Sequence, residues 1–179
     1  YGLIGIAPGK TLTLDPGVVV KPHDASSGIR VLGGFFVNGT VSEPVFITSL
    51  LNDAAAGDTN SDGSSTPDDG DWGTIRVTSG ASTTMNYLNA TFGGGVVSAI
   101  IKNEGGNISI ASSIIASSTF YGILNETGTA SVASSSIYGT TYGFWTMVSA
   151  TSTAENNYWG SSAGPYHATL NPSGYSGNQ

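Results

Sequence analysis

Six of the eight Asp residues in this chain lie between Asp53 and Asp71. Within that window runs Asp58-x-Asn60-x-Asp62-Gly63. A hard cation such as Ca²⁺ takes about six to eight oxygens, and short side chains on alternate residues can wrap around it while a glycine makes the sharp turn. With Asp58 as the first position of such a loop, Ser64 is the seventh, offering its backbone carbonyl, and Asp69 is the last. That last position normally carries a bidentate Glu. Asp is one methylene shorter, so Asp68 or Asp71 could serve in place of Asp69. The expected Ca²⁺ set is therefore Asp58, Asn60, Asp62, Ser64 and Asp69. The ion-free alternative is a solvated acidic loop of Asx-turns.

Other charged residues are few. Glu104 and Glu126 stand 22 residues apart, each after an Asn. Two carboxylates brought close share a proton, hold a cation or turn into solvent, and Lys102 is near enough in sequence to reduce their repulsion. At about 5–5.5 Å they would also have the spacing of a retaining glycosidase. Arg30 and Arg76 each sit in Ile-Arg-Val, so each points outward from a strand, and together they could hold an acidic sugar. His23 and His167 are far apart in the chain, which argues against a His pair for metal or catalysis. Phe120, Tyr121, Tyr142, Phe144, Trp145, Tyr158, Trp159 and Tyr166 crowd the second half. Exposed rings would stack on sugar faces, whereas alternation turns about half of them into the core. No Gly-x-Ser-x-Gly, His-Glu-x-x-His or P-loop pattern occurs. No regular Thr-x-Thr array is visible either, which speaks against an ice-binding surface.

The elements that must position these residues repeat. Tyr121-Gly122-Ile123-Leu124-Asn125-Glu126 follows Ala99-Ile100-Ile101-Lys102-Asn103-Glu104 at an offset of 22. Ile110 then falls on Val132 and Ile115 on Ile137. One further step reaches Trp145, Ala154 and Trp159, and backwards Met85 precedes Ile110 by 25. Inside each repeat apolar residues alternate, as in Ile108-Ser109-Ile110, which is a strand period. A unit of about 22 residues with short alternating strands and Gly, Asn and Ser turns is one coil of a right-handed parallel β-helix, stable only when stacked on others. Asn103 over Asn125 predicts an Asn ladder. Ile101, Ile108, Ile110, Ile115, Ile123, Val132 and Ile137 should be buried in stacked files. The 27 residues from Thr48 to Thr74 are too long for a turn and too polar for core, and read as a loop projecting from the solenoid.

Composition agrees. Of 179 residues only 9% are charged, whereas Gly, Ser and Thr dominate, favouring strands and tight turns over long helices. A net charge of −7 with five basic residues excludes a phosphate-neutralising surface, hence nucleic acid as partner. It equally disfavours an anionic membrane. With no Cys there are no disulfides and no thiolate chemistry. No apolar run is long enough to span a membrane. Four Asn-x-Ser/Thr sequons, at Asn38, Asn89, Asn107 and Asn125, are about what this Ser/Thr content produces by chance.

The opening Leu12-Thr13-Leu14-Asp15-Pro16-Gly17-Val18-Val19-Val20-Lys21 resembles the first coils of bacterial right-handed parallel β-helix repeat proteins, of pectate-lyase-like fold. So does Gly57-Asp58-Thr59-Asn60-Ser61-Asp62-Gly63 leading to Gly70-Asp71-Trp72-Gly73. Asn156-Asn157-Tyr158-Trp159-Gly160 with Gly164-Pro165 resembles their final coil. The resemblance covers essentially the whole chain and implies a secreted or cell-surface protein. Such proteins include adhesins, structural modules and polysaccharide-degrading enzymes. The expectation is one all-β domain over 1–179, part of a larger surface protein, with the acidic loop at 48–74. Its function would be that of a calcium-stabilised structural or adhesive unit touching carbohydrate or another surface protein, with end-to-end self-association through its open coil ends. The alternative is a fragment of a polysaccharide lyase or glycoside hydrolase.

Overall fold

Short alternating segments bounded by Gly and Ser form strands here because only alternate side chains need burial. In a computed structural model, which describes residues 2–165 and 171–173, they form fifteen strands and no helix. They wind into a parallel β-solenoid of about six turns, about 25 residues each. The first turn is β1 (Leu3–Ile6), β2 (Thr11–Leu14) and β3 (Val19–Val20). The second is β4 (Gly28–Val31), β5 (Gly34–Asn38) and β6 (Val45–Ile47), and the third β7 (Ile75–Thr78), β8 (Ser82–Asn86) and β9 (Leu88–Gly93). The fourth is β10 (Ala99–Ala111) and β11 (Ile114–Ser118), the fifth β12 (Tyr121–Ala133) and β13 (Ser136–Tyr138). The sixth is β14 (Tyr142–Thr146) and β15 (Ala150–Glu155), ending in a bridge from Tyr158 to Ser136. β10 and β12 are long because each runs round the first corner, contributing one half to each of two faces.

The inward residues stack in files. Ile29, Ile75, Ile101, Ile123 and Phe144 pair in register on the first face. Leu14, Val37, Met85, Ile110 and Val132 do so on the second. Ile47, Ala90, Ile115 and Ile137 follow on the third. All seven residues expected in the core are buried, each such side chain contributing roughly 1.5–3 kcal/mol. The offset of 22 is the true register from Ile101 to Ile123 and from Ile110 to Val132. Met85 pairs with Ile110, as the 25-residue step requires.

The last step is different. Ile123 pairs with Phe144, and Trp145 pairs with Leu124. The first strand of the sixth turn arrives one residue early, and a one-residue slip exchanges the two faces of a strand. Phe144 therefore packs against the core, while Trp145 is exposed. Trp159 packs on the last coil as expected.

Polar ladders hold both corners where strand pairing is interrupted. At the first, Asn103 Nδ2 donates to Asn125 Oδ1 (2.8 Å) and to the Gly106 carbonyl, while its Oδ1 accepts from Gly106 N–H. Both Asn side chains are buried, which makes Asn125 unavailable as a glycan acceptor. At the second corner Tyr87, Ser112, Ser134 and Asn156 adopt the left-handed conformation in four consecutive turns. The residue after each corner forms a second ladder: Ser113 Oγ accepts from Leu88 N–H, Ser135 Oγ from Ser113 N–H, and Asn157 Oδ1 from Ser135 N–H. Each acceptor replaces a backbone partner lost at the bend.

The long insertion leaves the solenoid after β6 and returns at β7. Its two ends are core, contrary to its polar reading. Thr48, Ser49 and Trp72 are fully buried. The Trp72 ring lies against Gly93, where a Cβ would come within 2.7 Å of it, and its Nε1–H donates to the Thr91 carbonyl (2.7 Å). Gly73 N–H bonds to the Ser27 carbonyl and its own carbonyl accepts from Gly94 N–H, fixing the returning chain between turn two and the segment that follows β9.

Candidate functional site

The acidic insertion is organised by its own side chains. Asp58 accepts from the backbone N–H of Ser61 (2.7 Å) and Gly63 (3.1 Å). That closes a tight loop in which Ser61 and Gly63 take positive φ. Asn60 Nδ2 donates to Asp62 Oδ2 (2.7 Å). Across the insertion, Asp53 Oδ2 accepts from Ser65 N–H and Oγ–H, and Lys21 Nζ donates to the Gly57 carbonyl. These bonds bring Asp53, Asp58 and Asp62 together: one carboxylate oxygen from each lies within 4.8 Å of the others. Asp53 Oδ1 and Asn60 Oδ1 are shielded from solvent and have no hydrogen-bond partner. Buried acceptors without donors are costly, and a divalent cation is the kind of group that would satisfy them.

Of the expected set, Asp58 and Asp62 are brought together, with Asn60 bonded to Asp62. Ser64 is exposed just beyond Gly63, and Asp69 lies outside the converging group. Burial, then the charges of Asp68 and Asp71, hold the Asp69 carboxyl above its ordinary range. Asp71 serves the base of the insertion, accepting from Ser49 Oγ–H (2.6 Å) and Asp68 N–H (2.9 Å). Asp53, which joins Asp58 and Asp62, is absent from the expected set because it stands five residues before Asp58, outside any alternating pattern. Its only signal in the sequence is membership of the acidic window.

On the first face the outward residues form a charged file. Arg30, Arg76 and Lys102 pair in register across turns two to four. Arg76 Nε donates to Glu104 Oε2 (2.5 Å), and Lys102 Nζ bridges Glu104 and Glu126 at 3.0 Å each. The two carboxylates do not face each other directly, since a bulge shifts Glu104 onto Thr127. They meet at Lys102 instead. Partial burial works against ionisation of Glu104, but hydrogen bonds from Arg76 and Lys102 outweigh it and hold the carboxyl below its ordinary value of 4.5. A depressed carboxylate adds stability that is complete above the unfolded value and is lost as pH falls through the folded one. Wild type should therefore exceed Glu104→Gln by about 0.5–1 kcal/mol at neutral pH. Denaturant titrations should show that difference vanishing as the pH drops below the ordinary carboxylate range.

Phe120, Tyr121, Tyr142 and Trp145 cluster at the far end of the same face. Tyr121 and Tyr142 stack at 5.4 Å, with Trp145 edge-on to Tyr142 at 5.0 Å. On the second face, register does align an outward array that is inconspicuous along the chain: Ser82 and Thr84, Asn107 and Ser109, Thr129 and Ser131, Thr151 and Thr153. Thr129 donates to Asn107 and Thr153 hydrogen-bonds Ser131, so part of its bonding capacity is used along the file. Gly34 and Phe36 interrupt the array in turn two. His23 is exposed near Asp24, and His167 and Tyr166 lie outside the described residues. Among the described residues no helix is long and apolar enough to cross a membrane. Against family models, curated proteins and solved structures, no match to this chain is found.

Proposed function

We propose that this chain is a calcium-stabilised β-solenoid module of an extracellular or cell-surface protein, serving as a rigid structural or adhesive unit. The observation that carries this reading is the convergence of Asp53, Asp58 and Asp62 with two shielded, partnerless oxygens, on Asp53 and Asn60. Ca²⁺ is the better occupant than Mg²⁺, because oxygens gathered irregularly from a loop suit its variable coordination, whereas Mg²⁺ demands near-ideal octahedral geometry and keeps its waters. Extracellular Ca²⁺ modules commonly bind at about 10⁻⁴–10⁻³ M, which suits a site tuned to fluid outside the cell. The aromatic cluster at the end of the first face supports carbohydrate as an adhesive ligand. The alternative, a polysaccharide lyase or hydrolase, asks for a free base or acid in a groove. Glu104 and Glu126 are instead held in ion pairs, and a screen of pectins, alginates and neutral polysaccharides is expected to give no turnover.

Calcium that binds only the folded chain stabilises it by about 2.7 kcal/mol at a hundredfold excess over Kd, which for this size is about 5–10 °C in Tm. Chelation should reverse that shift and expose the chain between Asp53 and Asp71 to protease, while strand content stays unchanged. Asp53→Asn should abolish calcium uptake measured by calorimetry, whereas Asp69→Asn should leave it nearly intact. No uptake at millimolar calcium would remove the site.

A further inference from the structure

Three of the five basic residues of the chain, Arg30, Arg76 and Lys102, stack in one outward file. Their Cα atoms are about 4.8 Å apart, close enough that each needs a counter-charge. The acids are unevenly shared. Glu104 uses one oxygen on Arg76 and the other on Lys102, and Glu126 pairs with Lys102. In turn three the place of Glu104 is taken by Thr78, whose hydroxyl donates to the Val31 carbonyl. The nearby Asp24 is engaged by Ser26 and Ser27. Arg30 therefore has no acidic partner among the described residues.

Its side chain borders a cleft of about 180 Å³, walled by Leu3, Val96, Val97, Thr74 and Arg76. Leu3 is 54% and Val96 73% exposed, so exposed apolar side chains share the cleft with the unpaired Arg30. We propose that this cleft binds a small monocarboxylate with an apolar body, its carboxylate gripped by Arg30 and its hydrocarbon lying between Leu3, Val96 and Val97. The guanidinium fork matches a carboxylate in bidentate fashion. An apolar cavity of roughly 150 Å³ accommodates a benzene molecule, so this one suits a body of about six carbons. An acidic sugar would bring a hydroxyl on nearly every carbon; Leu3, Val96 and Val97 offer these no partner, and the hydroxyls of Ser26 and Thr74 already donate to Asp24 and to the Ile100 carbonyl.

The test is a calorimetric and NMR titration of the full chain with hexanoate, beside hexan-1-ol, hexylamine and acetate, with calcium present and after chelation. Hexanoate should bind saturably in both conditions, since none of Asp53, Asp58, Asn60 and Asp62 lines the cleft, so this result stands or falls independently of the calcium reading. Hexan-1-ol and acetate should each bind at least tenfold more weakly, and hexylamine not at all. Arg30→Gln should weaken hexanoate at least tenfold with the strand spectrum unchanged, because the side chain points away from the core. Val96→Asp, on an exposed wall, should abolish binding. Equal affinity for hexanoate and hexan-1-ol, or full retention in Arg30→Gln, would overturn the carboxylate grip. Equal affinity for acetate and hexanoate would overturn the apolar body.

Discussion

Ile123→Asp is expected to unfold the last two turns of the solenoid. Ile123 is fully buried between Ile101 and Phe144, and a carboxylate placed there is shielded from solvent with no cation in the file. Desolvation raises its pKa and still leaves a cost of several kcal/mol. Each turn of a solenoid is stable only through its neighbours, so the loss should spread to the Asn125 rung and to β14 and β15. Ile123→Val removes one methylene and should cost only about 0.5–1.5 kcal/mol. Thermal melts with residue-resolved hydrogen exchange separate the two outcomes. In Ile123→Asp, protection should collapse first from β12 onward while turns two and three stay protected. A wild-type Tm would mean that Ile123 does not face the core.

Trp72→Ala should be nearly as damaging, by about 3–5 kcal/mol, or roughly 10 °C in Tm. The ring fills the space left by Gly93 and supplies the donor for the Thr91 carbonyl. Its removal leaves a cavity and an orphaned acceptor at the point where the acidic insertion rejoins the stack. The insertion should then be cleaved by protease even with calcium present, unlike wild type. That distinguishes a failed anchor from an empty metal site, because Asp53→Asn should lose the calcium response while keeping the strand core. A Tm within two or three degrees of wild type would place Trp72 outside the core.

Much of the architecture is written along the chain. Ile108-Ser109-Ile110 and Ala130-Ser131-Val132 declare a strand period, and their offset matches the observed pairing. Asn103 and Asn125 announce a ladder because Asn is costly in a core unless its amide is bonded. The acidic cluster was legible in part. Asp58, Asn60 and Asp62 follow a local pattern that chain connectivity alone can bring together. Asp53 follows none, and reaches them only because Ser65 ties its carboxylate across the insertion.

What the sequence determined by itself is therefore whatever depends on neighbours within a few residues: which side chains alternate inward, where the chain turns, and where acid concentrates. Strand sterics and turn geometry act over that range, so composition and spacing suffice. The tertiary structure alone decided what depends on the exact length of each turn. One residue fewer before β14 turned Phe144 inward and Trp145 outward. A bulge after Asn103 moved Glu104 off Glu126 and left both on Lys102. The return of the insertion brought Trp72 into the core, and the stacking of six turns left Arg30 beside a cleft without an acid. Each of these sums small local offsets over dozens of residues, and because strand faces alternate with a period of two, a single residue of error in that sum reverses the answer.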